Sequence, residues 1–156
     1  MAIHKPIVLI EGELSRLPAG DEISGASGSV AFSGTNGGIT AMTMGQPVYV
    51  SGADAVSLAQ ANAIATAKVV GLVKDASAAA GAAANVQHSG VLEVMDWTTV
   101  TGSAALTPGA RYYLDAVDPG KLVEIAPNAT GEYVIAIGRA LSATEMLIEI
   151  DSPIGA

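Results

Sequence analysis

The chain contains no cysteine. Disulfides and thiolate metal sites are thereby excluded, and cysteine usage says nothing about redox compartment. Aromatic residues are scarce, at 4% of 156 positions, with Trp97 the single Trp. Charged residues make up 14%, well below the usual quarter. Lys and Arg total seven, scattered along the chain, against fifteen Asp and Glu, for a net charge of −8. Nucleic acid and anionic membrane surfaces want clustered basic side chains, so neither is an expected partner. No apolar run approaches the length of a membrane span. Met1–Ile10 has no hydrophobic region of secretory-signal length. The expectation is a protein made and kept in a cytosol, or assembled there.

Half of the residues are hydrophobic, and Ala and Gly dominate. The core is therefore expected to be thin and built of small aliphatics. With few charges, much of the surface must be Ala, Ser, Thr and Gly. Such a surface suits burial by a partner.

The clearest element is a β-hairpin over Leu106–Pro127. Gly109 turns the backbone into a strand at Arg111–Asp115. The link Ala116–Gly120 holds Asp118, Pro119 and Gly120, residues that suit a turn. Lys121–Ala126 returns and stops at Pro127, which cannot donate to a ladder. Tyr112 and Leu114 share one face of the first strand, opposite Arg111, Tyr113 and Asp115. On the second strand Val123 and Ile125 share a face, opposite Leu122 and Glu124. A two-stranded ribbon is marginal in water, so the rest of the chain must cover it.

Four segments are expected: residues 1–23 as an N-terminal arm or edge strand, 24–38 as a Gly/Ser-rich linker, 39–150 as the body and 151–156 as a short tail. In the arm, Ile7–Ile10 pairs readily, whereas Pro6 cannot sit in a central strand. The linker holds one brief strand, Val30–Phe32, and a turn at Asn36–Gly38. Within the body, Pro47–Val50 reads as a strand with Val56–Ala59 its hairpin partner. A short helix or turn falls near Gln60–Thr66. Lys68–Lys74 is a strand, and Gly71 in its middle marks a bulge or barrel corner. Asp75–Ala84 reads as a small-residue loop. A strand broken at Ser89–Gly90 follows, and the last two strands are Glu132–Gly138 and Glu145–Ile150. Short strands with frequent turn signals, and no alternating helices, give an all-β fold: a small antiparallel β-barrel or sandwich with an extended N-terminal arm.

The order VVGLV, GVLEV, LTPGARYYLD and GRALSATEMLIEI resembles the small β-barrel modules of tailed-phage structural proteins, including head decoration (cement) proteins. The resemblance covers Gln46–Ile150, and its most specific pieces are Thr107–Asp115 and Ile137–Ile150. It implies a non-enzymatic virion component, a homotrimer on the outer surface of the capsid that bridges copies of the major capsid protein. An extended terminal arm that grips neighbours is part of that picture. The alternative is a phage tail or fibre β-module that binds a host-surface receptor, though the chain lacks a coiled-coil or repeat shaft.

No catalytic residue, metal site or cofactor is assigned. His4 and His88 are the only histidines and lack partners at ligand or triad spacing. Glu11 and Glu13 share a face if Ile10–Leu14 is a strand, and read as a solvated acidic face. A hydrolase or lyase reading would rest on Glu11, Asp96 and His88. Candidate capsid or subunit contacts are Ile3, His4, Pro6, Ile7, Leu9, Leu14 and Leu17 in the arm, with Trp97 and Tyr113 in the body. Trp97 is open to two readings, core plug or interface anchor.

Overall fold

One long strand, Ala83–Glu93, belongs to two sheets at once. The structure is a computed structural model. It describes residues 29–156 together with two N-terminal strands. In chain order the strands are β1 (Ile7–Ile10), β2 (Glu13–Arg16), β3 (Val30–Asn36), β4 (Met42–Thr43) and β5 (Pro47–Gly52). Next come β6 (Ala55–Leu58), β7 (Val69–Val73), β8 (Ser77–Ala78), β9 (Ala83–Glu93), β10 (Arg111–Leu114) and β11 (Leu122–Val123). Last are β12 (Tyr133–Val134), β13 (Ala136–Ala140), β14 (Glu145–Ile148) and β15 (Ile154–Gly155), and a short helix α1 spans Thr98–Thr101.

The strands β9, β3, β6, β5 and β7 pair in that order, and β7 returns to β9, which closes a five-stranded barrel. Every pairing in the ring is antiparallel except β3 with β6. Beyond Ser89 the same strand leaves the barrel, and Gly90–Glu93 pairs with β14. A second sheet then runs β9, β14, β13, β10, β11. The expected break at Ser89–Gly90 is this change of partner. Gly90 has φ 87°, and the register against β3 shifts just before it, between Gln87 and Ser89, so the strand bends without ending.

Closure depends on Gly71. The β5–β7 register shifts around it, with Val48 opposite Gly71 and Tyr49 opposite Val69. The residue was expected to mark a bulge or barrel corner, and it does. Alternation along β7 serves two cores. Val73 joins Met42, Val48, Val56, Ala78, Ala84 and Val86 inside the barrel. Leu72 belongs to the larger cluster, with Trp97, Tyr112, Leu114, Ile137 and Met146. The barrel interior is filled mostly by Val and Ala around Met42, whereas most of the other large buried side chains gather around the second sheet.

The hairpin forms as expected, with Tyr113 opposite Val123 and Leu114 opposite Leu122. Gly109 and Gly120 take φ of 83° and 73°. Tyr112 and Leu114 are buried on one face. The return strand is shorter than expected. Leu122 is buried but Ile125 is 82% exposed, because the ladder ends at Val123 and Glu124 turns to bond Tyr112. The hairpin lies at the edge of its sheet, and β9 is the strand that joins the whole.

One expectation needs correction, and others gain detail. The segment 24–38 is not all linker, since Val30–Asn36 is a barrel strand paired with β9. Its last residue, Asn36, is buried, and its amide donates to the carbonyls of Thr40 and Ala78 at 2.9 Å each. Within the short tail, 151–156, Ile154–Gly155 pairs with β12. The condition under which Glu11 and Glu13 would share a face, a single strand over Ile10–Leu14, is not met, since Ile10 and Glu13 stand opposite each other on β1 and β2. In the arm, β1 and β2 pair with each other and with no other described strand. Residues 60–66 form turns rather than a helix, with the Thr66 hydroxyl bonded to the Gln60 carbonyl.

Candidate interaction surfaces

Helix α1 and the loop behind it bring Thr107 beside the hairpin, where Tyr112 and Glu124 complete a polar cluster. The Thr107 backbone N–H donates to the Tyr112 hydroxyl at 2.9 Å. That hydroxyl donates onward to Glu124 Oε1 at 2.8 Å, and the Thr107 hydroxyl donates to the same oxygen at 2.7 Å. Tyr112 is 2% exposed. A shallow groove of about 400 Å³ opens over the cluster, with Ser103, Ala105, Leu122 and Ile125 along its walls. Sequence reasoning missed Glu124 as a partner of Tyr112, because it placed Glu124 in a continuing strand.

Hydrogen bonds from Thr107 and then Tyr112 hold Glu124 below its ordinary carboxylate value. Burial, first of several causes, pushes the Tyr112 hydroxyl up, so it stays protonated and remains a donor. A depressed native pKa contributes stability that is complete above the unfolded chain's value and is lost as pH falls through the native one. Asp75, bonded by Asn85, and Asp96, bonded by Thr98, act in the same sense. Urea titrations at neutral and acid pH should therefore show stability falling with acid, with a smaller drop in Glu124→Gln. Tyr112→Phe should lose about 1 kcal/mol at neutral pH, because it unpairs the Thr107 N–H.

Of the expected contact residues, Ile3, His4, Pro6 and Leu17 lie outside the described residues. Ile7 and Leu9 fall on β1 and Leu14 on β2. Trp97 is fully buried, and its indole N–H donates to the Thr144 carbonyl at 3.1 Å. This is the core reading of the two: the side chain offers no surface to a partner. Tyr113 is half-buried on β10.

Two of the three residues of the hydrolase reading are described by the structure. Glu11 lies outside the described residues. Asp96 is exposed and accepts from the Thr98 N–H at 2.9 Å. His88 is exposed on β9, and its Nδ1 lies 2.8 Å from the Val70 carbonyl, an acceptor, so Nδ1 carries the proton. Among the described residues no three His, Asp or Glu side chains stand close enough to share a metal ion.

The exposed large apolar side chains are a better guide to contact. They include Val30, Phe32, Ile39, Met95, Val117 and Ile125. Single exposed aliphatics are ordinary, but Phe32 is the only Phe in the chain and stands 39% exposed on a barrel strand. The one ion pair among the described residues, Arg111–Asp151 at 4.0 Å, has both side chains largely in water and adds little.

No protein-family model matches the chain, and no curated protein matches it. Among solved structures, a chain from "The capsid of Myoviridae Phage XM1" is similar. The similarity covers 88% of this chain and 93% of that one, at 22% identity and a TM-score of 0.43. At that distance the likeness carries no argument about function.

Proposed function

We propose that the chain is a structural virion protein of a tailed phage, a head decoration protein that bridges copies of the major capsid protein on the outer surface of the head and assembles as a homotrimer. The observation that supports this most is where the phage-like sequence falls. Thr107–Asp115 leads into and forms β10, and Ile137–Ile150 forms most of β13 and all of β14. These are adjacent strands of the second sheet. The pattern therefore specifies one contiguous piece of the fold. The grooves among the described residues are shallow, and the one over Tyr112 and Glu124 is walled by Ser103, Ala105, Leu122 and Ile125, which suits a protein that acts by covering area.

In this reading the N-terminal hairpin is the grip. It pairs with no other described strand, so it is available to meet a neighbour. Removing residues 1–20 should leave the barrel and second sheet folded, with a melting temperature close to that of the full chain. The truncated protein should fail to bind undecorated capsids in a co-sedimentation assay that the full chain passes. Full occupancy by the truncated protein would remove the arm from the account.

A further inference from the structure

We infer that the outer edge of β3 is a self-association site, where two copies of this chain pair antiparallel about Phe32. The inference does not depend on the virion reading, and this two-fold contact is separate from the threefold contact proposed there.

The barrel is closed only thinly at this strand. β6 meets β3 at Thr35 and Asn36 alone, because β6 begins at Ala55 after the tight turn at Asp54. Residues 30–34 run past it. The Thr35 N–H donates to the Asp54 carbonyl, on the β6 side, and the Asn36 N–H to the Ala82 carbonyl, on the β9 side. Alternation along the strand then points the N–H and C=O of Ala31 and Ser33 outward. Both residues are exposed, and among the described residues nothing bonds them from that side. Phe32 lies opposite Val86, a barrel-interior residue, and so shares its face at the open flank. Val30 and Phe32 are 58% and 39% exposed.

Edges of this kind are normally blunted by a charge, a proline or a covering element. Val30–Asn36 has neither charge nor proline. The uncharged stretch extends from Ile23 to Ala53, in a chain of net charge −8. Two acidic molecules can meet here without placing like charges face to face, and a second copy is the occupant this favours. The register is self-complementary. With Phe32 opposite its symmetry mate, Ala31 of each copy faces Ser33 of the other. Each such pair exchanges two backbone hydrogen bonds, and the two Phe32 side chains cover each other. A contact this short is weak in solution.

Sedimentation of the full chain over a range of concentrations tests this. A concentration-dependent species is expected, with association at least tenfold weaker in Phe32→Ser and in Ser33→Pro. Proline at 33 removes only the outward N–H, so the β9 ladder is spared, and melting curves check that both variants fold. Since the chain has no cysteine, Phe32→Cys supplies a sole thiol at the two-fold position. Mild oxidation should convert it to a disulfide dimer far faster than Ile39→Cys, whose site is 97% exposed. A chain that is monomeric throughout, an oligomer that both folded variants leave unchanged, or equal cross-linking of the two cysteine variants would each overturn the inference.

Discussion

Gly71→Ala should destabilise the protein by about 3 kcal/mol, as measured by urea unfolding. The reason is the closeness of two backbones where the barrel shuts. A Cβ on Gly71 would lie 2.5 Å from the Gln87 carbonyl oxygen and 2.5 Å from Val86 Cγ1. The first neighbour is backbone and cannot swing aside. Relief requires β7 to move off β9, which loosens the pairings of Leu72 with Gln87 and Val73 with Val86. Those pairings are the closing seam of the ring. The control is Gly155→Ala, where a Cβ meets nothing within 4 Å. It should melt with the parent. If Gly71→Ala also melts with the parent, the seam is not where the structure puts it.

Trp97→Ala should be as damaging or worse, at about 3–5 kcal/mol, the range for emptying a large aromatic site. Trp97 lies within the larger core and anchors the start of α1. Its carbonyl accepts the N–H groups of Val100 and Thr101. Its ring packs over Gly45, where a Cβ would come within 2.9 Å of it. Gly45 also has φ 88°, which disfavours any other residue. Trp97→Phe should cost less, because it keeps most of the volume and gives up the hydrogen bond to Thr144. Trp97 is also the chain's only Trp. Its fluorescence in the parent should shift to the red in a single transition as the core opens. A Trp97→Ala protein with parental stability would return Trp97 to the role of surface anchor.

Both residues show what was readable beforehand. Gly71 stands out in the sequence because a glycine inside VVGLV breaks a strong strand pattern, and close backbone approach is the usual reason. The turn glycines at 109 and 120 are legible on the same grounds. Trp97 was ambiguous because a lone Trp in a polar context, DWTT, has no periodicity to place it inside or outside. Helix α1 was invisible, since Thr98–Thr101 is rich in β-branched residues that disfavour helix. It forms because Asp96 accepts the Thr98 N–H and Gly102 closes it at φ 80°.

Strand β3 was only partly legible for the opposite reason. Its sequence, VAFSGTN, is exposed along nearly its whole length, so it lacks the apolar alternation that marks a half-buried strand. What makes it a strand is its partner, β9. The Tyr112–Glu124–Thr107 cluster was hidden because it depends on the hairpin ladder ending at Val123, and strand ends depend on tertiary contacts that a local pattern does not contain. The fold class could be read because turn chemistry is local. The candidate surfaces could not, because they arise where separate strands stop.

The measurement closest to the central claim is a reconstruction of the intact phage particle at a resolution that distinguishes a small β-barrel. Density fitting the barrel with its second sheet should appear on the outer face of the head, in contact with more than one capsid subunit, and should vanish from particles made without this chain. Finding that density on the tail, or finding no copy of the chain in the purified particle, would contradict the account.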